Sequence, residues 1–258
     1  MTTIPSIVSP ELKRARRQVR VAMPDPTRRL EQDEEWFLYH DGSAWRELRL
    51  HDYAEIFAVP GLYEHVVTDI LGCSSPEVVA DLLVRAVVEA GEDPGEMTVL
   101  DLGAGNGCVA EQLAMRRFST LVGVDLTPAA AEAAERDRPG LYADYAVGDL
   151  TDLPARERAR LDARTFDAMV CVAALGFGDI PTEAFLAAFE RVRPGGWVAF
   201  NIKESFLDPA DESGFGSALR GMIGERSLEV IGQKQYRHRL SSSGLPLRYV
   251  AFIGRKRS

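Results

Sequence analysis

The sequence predicts an α/β protein built on a mostly parallel sheet with helices on both faces. Three observations carry this. From residue 97 onward, apolar runs alternate with helix-forming segments: strands over 97–102, 120–125, 142–147, 166–172 and 195–201, helices over about 107–116, 128–137, 155–163 and 181–193. Strand and helix in alternation build a parallel sheet covered on both sides. The first apolar run, Thr98-Val99-Leu100, ends at Asp101 and passes into Gly103, Gly105 and Gly107, a turn that leads to the helix beginning near Cys108. After 202 the pattern changes to a helical stretch over 212–224 and two strands, about 227–239 and 246–255, joined through Ser241-Ser242-Ser243-Gly244. Such a connection makes the last two strands an antiparallel hairpin, for seven strands in all.

Composition bounds the function. The chain has 258 residues, 46% of them hydrophobic, enough for a sizeable core. A net charge of −9 argues against general nucleic-acid affinity, which shows as a basic footprint. Cys73, Cys108 and Cys171 are widely spaced and odd in number, with no C-x-x-C or Cys/His cluster, so neither a disulfide framework nor a metal site is expected. There is no signal-peptide pattern in residues 1–10 and no apolar run long enough to span a bilayer. The expectation is a cytoplasmic protein without membrane partners.

Ahead of the sheet the chain divides into residues 1–30, an arm that reads as a solvated helix or flexible tail, and residues 31–91, a hairpin with a helical cap. The arm carries Lys13, Arg14, Arg16, Arg17, Arg20, Arg28 and Arg29, and charge runs of this kind usually stay wet. Asp41-Gly42, flanked by Glu34–His40 and Ser43–Leu50, is a hairpin signal. Trp36 and Trp45 are expected to pair across it. The hairpin suits a lid, a substrate wall or a dimer contact, and no residue chooses among these. Tyr53–Phe57 and 62–71 read as helical, and a longer helix follows with Ser75 as N-cap and Pro76 at its first position. Residues 92–258 form the sheet domain.

The turn at 103–107 presents free N–H groups and the positive end of a helix dipole to a ligand. A dinucleotide fingerprint needs G-x-G-x-x-G, but its third glycine would fall on Cys108. The spacing D-x-G-x-G-x-G, from Asp101 to Gly107, resembles the first motif of the class I S-adenosylmethionine-dependent methyltransferases. Three more segments resemble later motifs of that family in the right order: Gly148-Asp149 after the third strand, Phe166-Asp167…Leu175 through the fourth, and Arg193-Pro194-Gly195-Gly196 before the fifth. The resemblance covers about 75–255 and implies a Rossmann-like three-layer sandwich, a mostly parallel seven-stranded sheet with a C-terminal antiparallel hairpin. Here it is extended by the N-terminal β-hairpin and helices.

By resemblance the cofactor is S-adenosyl-L-methionine, held by Asp101 and the loop Gly103, Ala104, Gly105 and Asn106. Asp125, at the end of the second strand beside Leu126, binds the ribose, since a carboxylate accepts from both hydroxyls. Asp149 accepts from the adenine amino group, with the Leu150 N–H reaching the ring; a turn cap is the other reading of Asp149. Cys171, Val172 and Ala173 lie beside the methionine part, and Tyr53 touches it from the N-terminal segment. Asp167, Pro194 and Gly195 are structural, the last two ending a helix. Phe177 stands where many relatives carry His, so that base is absent. A partly apolar small-molecule acceptor fits walls drawn from 30–65, 177–180 and 204–216, with Trp36, Phe57, Tyr63, Phe177, Phe206 and Phe215. Of His40, His51, His65 and His238, His51 is the candidate base, a surface role being its alternative. A nicotinamide oxidoreductase, a non-catalytic scaffold that keeps the cofactor fold, and an RNA methyltransferase using the basic arm are the competing readings.

Overall fold

The computed structural model describes residues 7–28, 30–175, 179–208 and 214–257. The chain opens with α1 (Pro10–Gln18) and β1 (Val21–Ala22), followed by the hairpin strands β2 (Trp36–His40) and β3 (Trp45–Arg49). Next come α2 (Tyr53–Ala58), a π-helical turn over Glu64–Ile70, and α3 (Ser75–Glu89). The main sheet then alternates β4 (Thr98–Leu102), α4 (Cys108–Met115), β5 (Thr120–Asp125), α5 (Pro128–Asp137), β6 (Asp144–Val147), α6 (Ala155–Asp162), β7 (Phe166–Cys171), α7 (Thr182–Arg191) and β8 (Val192–Lys203). It finishes with α8 (Phe215–Gly224), β9 (Leu228–Leu240) and β10 (Pro246–Lys256).

The seven strands lie in the order β6-β5-β4-β7-β8-β10-β9, parallel from β6 to β8, with β10 antiparallel to both β8 and β9. The strands alternate apolar residues between two faces, so each face needs its own helical layer. On one side Leu100, Val122, Met169, Val198 and Phe200 pack with Phe185 and Phe189 of α7 and Leu219 of α8. On the other, Val99, Leu121, Val170 and Ala199 pack with Val79 and Leu83 of α3 and Leu113 of α4. Helix α3, grouped by sequence with the cap, is therefore one of the sheet's own covering helices.

The N-terminal part has a separate small core of Phe37, Leu48, Leu50, Ile56, Leu62, Val66 and Leu71. Strand β1 adds a third strand to the hairpin through Val21↔Tyr39. Helix α1 is seated on the body of the protein: Leu12 is buried, Ser9 N–H donates to the Asp137 carbonyl, and Arg16 pairs with Asp69. This differs from a free tail, because one apolar side chain and the Ser9 cap dock the basic helix (Ser9 Oγ accepts from Leu12 N–H).

Three local expectations are corrected. Trp36 stands opposite Arg49 and Trp45 opposite His40, at the two ends of the hairpin, so the tryptophans do not pair; Trp45 meets the His40 ring edge-on at 5.1 Å. Ser75 does not cap α3, because its hydroxyl is committed to a buried network described below. Pro194-Gly195-Gly196 does not end a helix; it lies inside β8, where the register against β7 slips between Phe166↔Val192 and Ala168↔Trp197. A Cβ at Gly196 would sit 2.8 Å from the Asp167 carbonyl, so this irregularity admits only glycine.

Candidate functional site

In sheets of this kind, ligands bind at the carboxyl ends of the strands where the strand order reverses. Here β4 is that point, and its carboxyl end opens into a cavity of about 590 Å³. Gly103 and Ala104 donate backbone N–H groups to the Val124 carbonyl at 2.9 and 3.1 Å, pinning the turn to β5. Gly103, Gly105 and Gly107 all have positive φ, at 73°, 53° and 89°. A Cβ at Gly103 would lie 2.8 Å from Ile180 Cδ1, and one at Gly105 would lie 3.0 Å from Phe57 Cζ. The turn is thus held between α2 and the segment after β7.

Most of the sequence-derived site residues line this cavity: His51, Tyr53, Tyr63, Gly103, Ala104, Gly105, Asn106, Asp125, Leu126, Asp149, Leu150, Val172 and Ala173. Asp101 and Cys171 do not line it; both are fully buried behind the wall. Phe177 lies outside the described residues. Asp125 accepts from Gly105 N–H at 3.0 Å through one oxygen and from Thr127 N–H at 3.0 Å through the other. Burial nevertheless raises its pKa, so further donors would be welcome. Asp149 lines the cavity, and one of its oxygens caps the turn by accepting from Thr151 N–H and Oγ, which lowers its pKa.

Behind the turn, Tyr142 donates its hydroxyl to Asp101 at 2.7 Å, while the other Asp101 oxygen is buried without a partner. Burial pushes the Asp101 pKa up to about 7, against the lowering effect of Tyr142. Asn106 donates to buried Glu64 at 2.6 Å, and Glu64 accepts from buried Arg138 at 2.9 Å. This joins the π-helical turn of the cap to the glycine loop.

Ala173, a non-glycine residue with φ 59°, donates its N–H to buried Asn201 at 2.6 Å. The Asn201 amide donates to Ser75 Oγ and Tyr236 Oη, and Ser75 Oγ lies 2.6 Å from His238 Nδ1. Burial drives the His238 pKa well below its ordinary value, so this ring is a neutral core group.

His51 sits differently. It lines the cavity, and its Nδ1 lies 3.0 Å from Asp179, which also lines it. A carboxylate accepts, so Nδ1 carries the proton and Nε2 is the basic nitrogen. Beside it, burial and the Asp179 charge raise the Tyr53 pKa, keeping that phenol neutral. Asp52, Glu55, Phe57 and Asp179 line the cavity from the stretches the sequence offers as an acceptor wall, whereas Trp36, Phe206 and Phe215, expected there too, do not line it; the pairing of His51 with Asp179 is what sequence reasoning missed.

The cavity's features fit an adenosyl group with an amino-acid tail. Asp125 is desolvated with acceptor capacity left, Leu126 is 64% exposed at its side, and the glycine turn leaves no room for side chains. Among the described residues no group of His, Cys, Asp and Glu is arranged to hold a metal, and no helix is long and apolar enough to cross a membrane.

The strand order, with its antiparallel C-terminal hairpin, makes this a Rossmann-like α/β fold. The chain resembles the class I S-adenosylmethionine-dependent methyltransferases. Residues 100–200 match the family described as "Methyltransferase domain". The chain is similar to human Methyltransferase-like protein 27, 30% identical over 159 residues, covering 56% of this chain and 60% of that one. It is also similar to the ubiquinone biosynthesis O-methyltransferase of Alkalilimnicola ehrlichii, 33% identical over 103 residues and 40% of each chain. It therefore spans less than two thirds of either relative. A candidate RNA methyltransferase of Pyrococcus horikoshii shares the fold, with TM-score 0.50 and 16% identity over 72% of this chain and 88% of that one.

Proposed function

We propose that the protein transfers a methyl group from S-adenosylmethionine to a small-molecule acceptor, with His51 as general base. The observation that carries this is the union, in one cavity, of the glycine turn, the desolvated Asp125 and the His51–Asp179 pair. When bound, S-adenosylmethionine supplies a methyl group already activated on a sulfonium. What this chain adds is orientation and the handling of a proton. Asp125 would hold the ribose hydroxyls, and Leu126 and Asp149 would flank the base. The turn from Gly103 to Asn106, with Val172 and Ala173, would seat the amino-acid tail. Tyr53 and Phe57, stacked at 6.0 Å, would close over that end and exclude water. His51 Nε2 would take the acceptor's proton, while Asp179 fixes the tautomer and stabilises the imidazolium that forms. In-line orientation of the two reactants supplies the larger share of the acceleration, about 7–11 kcal/mol for well-held pairs.

Titration calorimetry with S-adenosylhomocysteine tests this. Saturable binding is expected, weakened roughly 10- to 150-fold in Asp125→Ala, the worth of about 1.5–3 kcal/mol for hydrogen bonds to a charged group. His51→Ala should leave this binding unchanged. No saturable heat at millimolar ligand would refute the proposal.

A further inference from the structure

We propose that the acceptor is an uncharged molecule methylated on a hydroxyl oxygen, and that anionic acceptors are rejected; this rests on the methyltransferase reading above. Two observations carry it. The first is the charge of the walls. The described lining holds five carboxylates, Asp52, Glu55, Asp125, Asp149 and Asp179, and neither Lys nor Arg. Asp125 and Asp149 are assigned to the nucleoside end, which leaves Asp52, Glu55 and Asp179 in the rest of the lining, Asp179 beside His51. Neighbouring cations are engaged. Arg239 is paired with buried Glu35, and Arg46 meets Glu55 at 3.8 Å, with both side chains 59% exposed. A carboxylate or phosphate on the acceptor would lose its hydration and meet a described lining whose net charge is of its own sign.

The second observation is the His51–Asp179 pair, in which Nδ1 faces the carboxylate and Nε2 is thereby the basic nitrogen of the ring. The surrounding carboxylates would bind an ammonium, but they would also hold its proton, leaving no lone pair to react. A hydroxyl keeps its lone pairs while neutral. Its oxygen forms the bond to the methyl carbon, its proton passes to His51 Nε2, and the electron pair of the broken sulfur–carbon bond stays on sulfur. Asp179 acts through His51 and is a positioning residue.

Three probes of one shape separate the charges: methyl 4-hydroxyphenylacetate, 4-hydroxyphenylacetate and tyramine. Calorimetry is run on the full chain saturated with S-adenosylhomocysteine, near neutral pH, and products formed with S-adenosylmethionine are read by mass spectrometry. The neutral ester should bind roughly tenfold or more tighter than the acid, the effect of one unit charge on another at about 9 Å in a partly screened medium. It should be methylated on its phenolic oxygen. Glu55→Lys, which places a cation at the rim, should narrow the ester–acid gap without changing S-adenosylhomocysteine affinity. Equal binding of acid and ester, methylation of tyramine on nitrogen, or no binding of any probe at millimolar concentration would overturn this proposal while leaving the cofactor reading intact. Failure of S-adenosylhomocysteine itself to bind would overturn both.

Discussion

Replacing Asp101 by Asn should flatten the pH dependence of stability. Asp101 lies in β4 directly under the glycine turn, fully buried, with one oxygen hydrogen-bonded to Tyr142 and the other without a partner. Burial pushes its pKa from 3.8 up to about 7, the Tyr142 hydrogen bond opposing and the Asp125 charge adding. The folded protein therefore holds a proton that the unfolded chain has released between these two values. The contribution to stability is fully present below about pH 4, falls as pH rises, and is lost above about pH 7. Between pH 5 and 8 the interval traversed below the folded pKa is about 2 units, which at about 1.36 kcal/mol per unit is about 3 kcal/mol. Asn cannot ionise, so the variant lacks this slope, whatever constant offset the amide introduces. Urea unfolding of both proteins at pH 5 and pH 8 gives the double difference, in which the other titrating groups cancel. Parallel pH profiles for the parent protein and the Asp101→Asn variant would refute the reasoning, because the carboxylate would then be solvated or paired in a way the buried geometry denies.

Two further substitutions probe how the site is held. Gly105→Ala places a side chain at φ 53° with its Cβ 3.0 Å from Phe57 Cζ, so it should cost about 1–2 kcal/mol in thermal or urea unfolding and weaken S-adenosylhomocysteine binding. Phe57→Ala removes a buried ring and is destabilising by itself, so the check is a double-mutant cycle: combined with Gly105→Ala, the pair should cost less than the sum of the two single variants. Arg138→Met leaves Glu64 buried without its cation and should cost about 3–5 kcal/mol in urea unfolding, whereas the double variant with Glu64→Gln should cost distinctly less.

The alternation of apolar runs and helix formers located the central strands of the main sheet, because strands buried on both faces leave continuous apolar runs that local reading detects; the partly exposed edge strands β6 and β9 came from their place between helices and turns. Asp125 and the glycine turn were legible for a related reason: a turn that must approach a ligand closely can be built from few residue types. What escaped the sequence is what depends on partners far along the chain. Ser75 looks like a helix cap until Tyr236, Asn201 and His238 arrive from the C-terminal strands to claim its hydroxyl. Asp179 becomes meaningful only when the fold carries His51 to it across 128 positions. The Glu64–Asn106–Arg138 junction is likewise assembled from three separate elements. Trp36 and Trp45 were paired on aromatic character alone, whereas register, fixed by the Asp41-Gly42 turn, sets them at opposite ends. The basic arm was judged by its charge, and the single buried Leu12 that docks it carries little weight in such a count.

The claim at the centre of this account is that one cavity holds an adenosyl group at its β5 end and presents the methyl group to an acceptor whose proton passes to His51 at the other. A crystal structure of the complex with S-adenosylhomocysteine tests this most directly. The account predicts ribose hydroxyls on the Asp125 carboxylate, the base beside Leu126 and Asp149, and the sulfur facing the space in front of His51 and Asp179. Ligand bound elsewhere, or bound here with its sulfur turned away from His51, would contradict it.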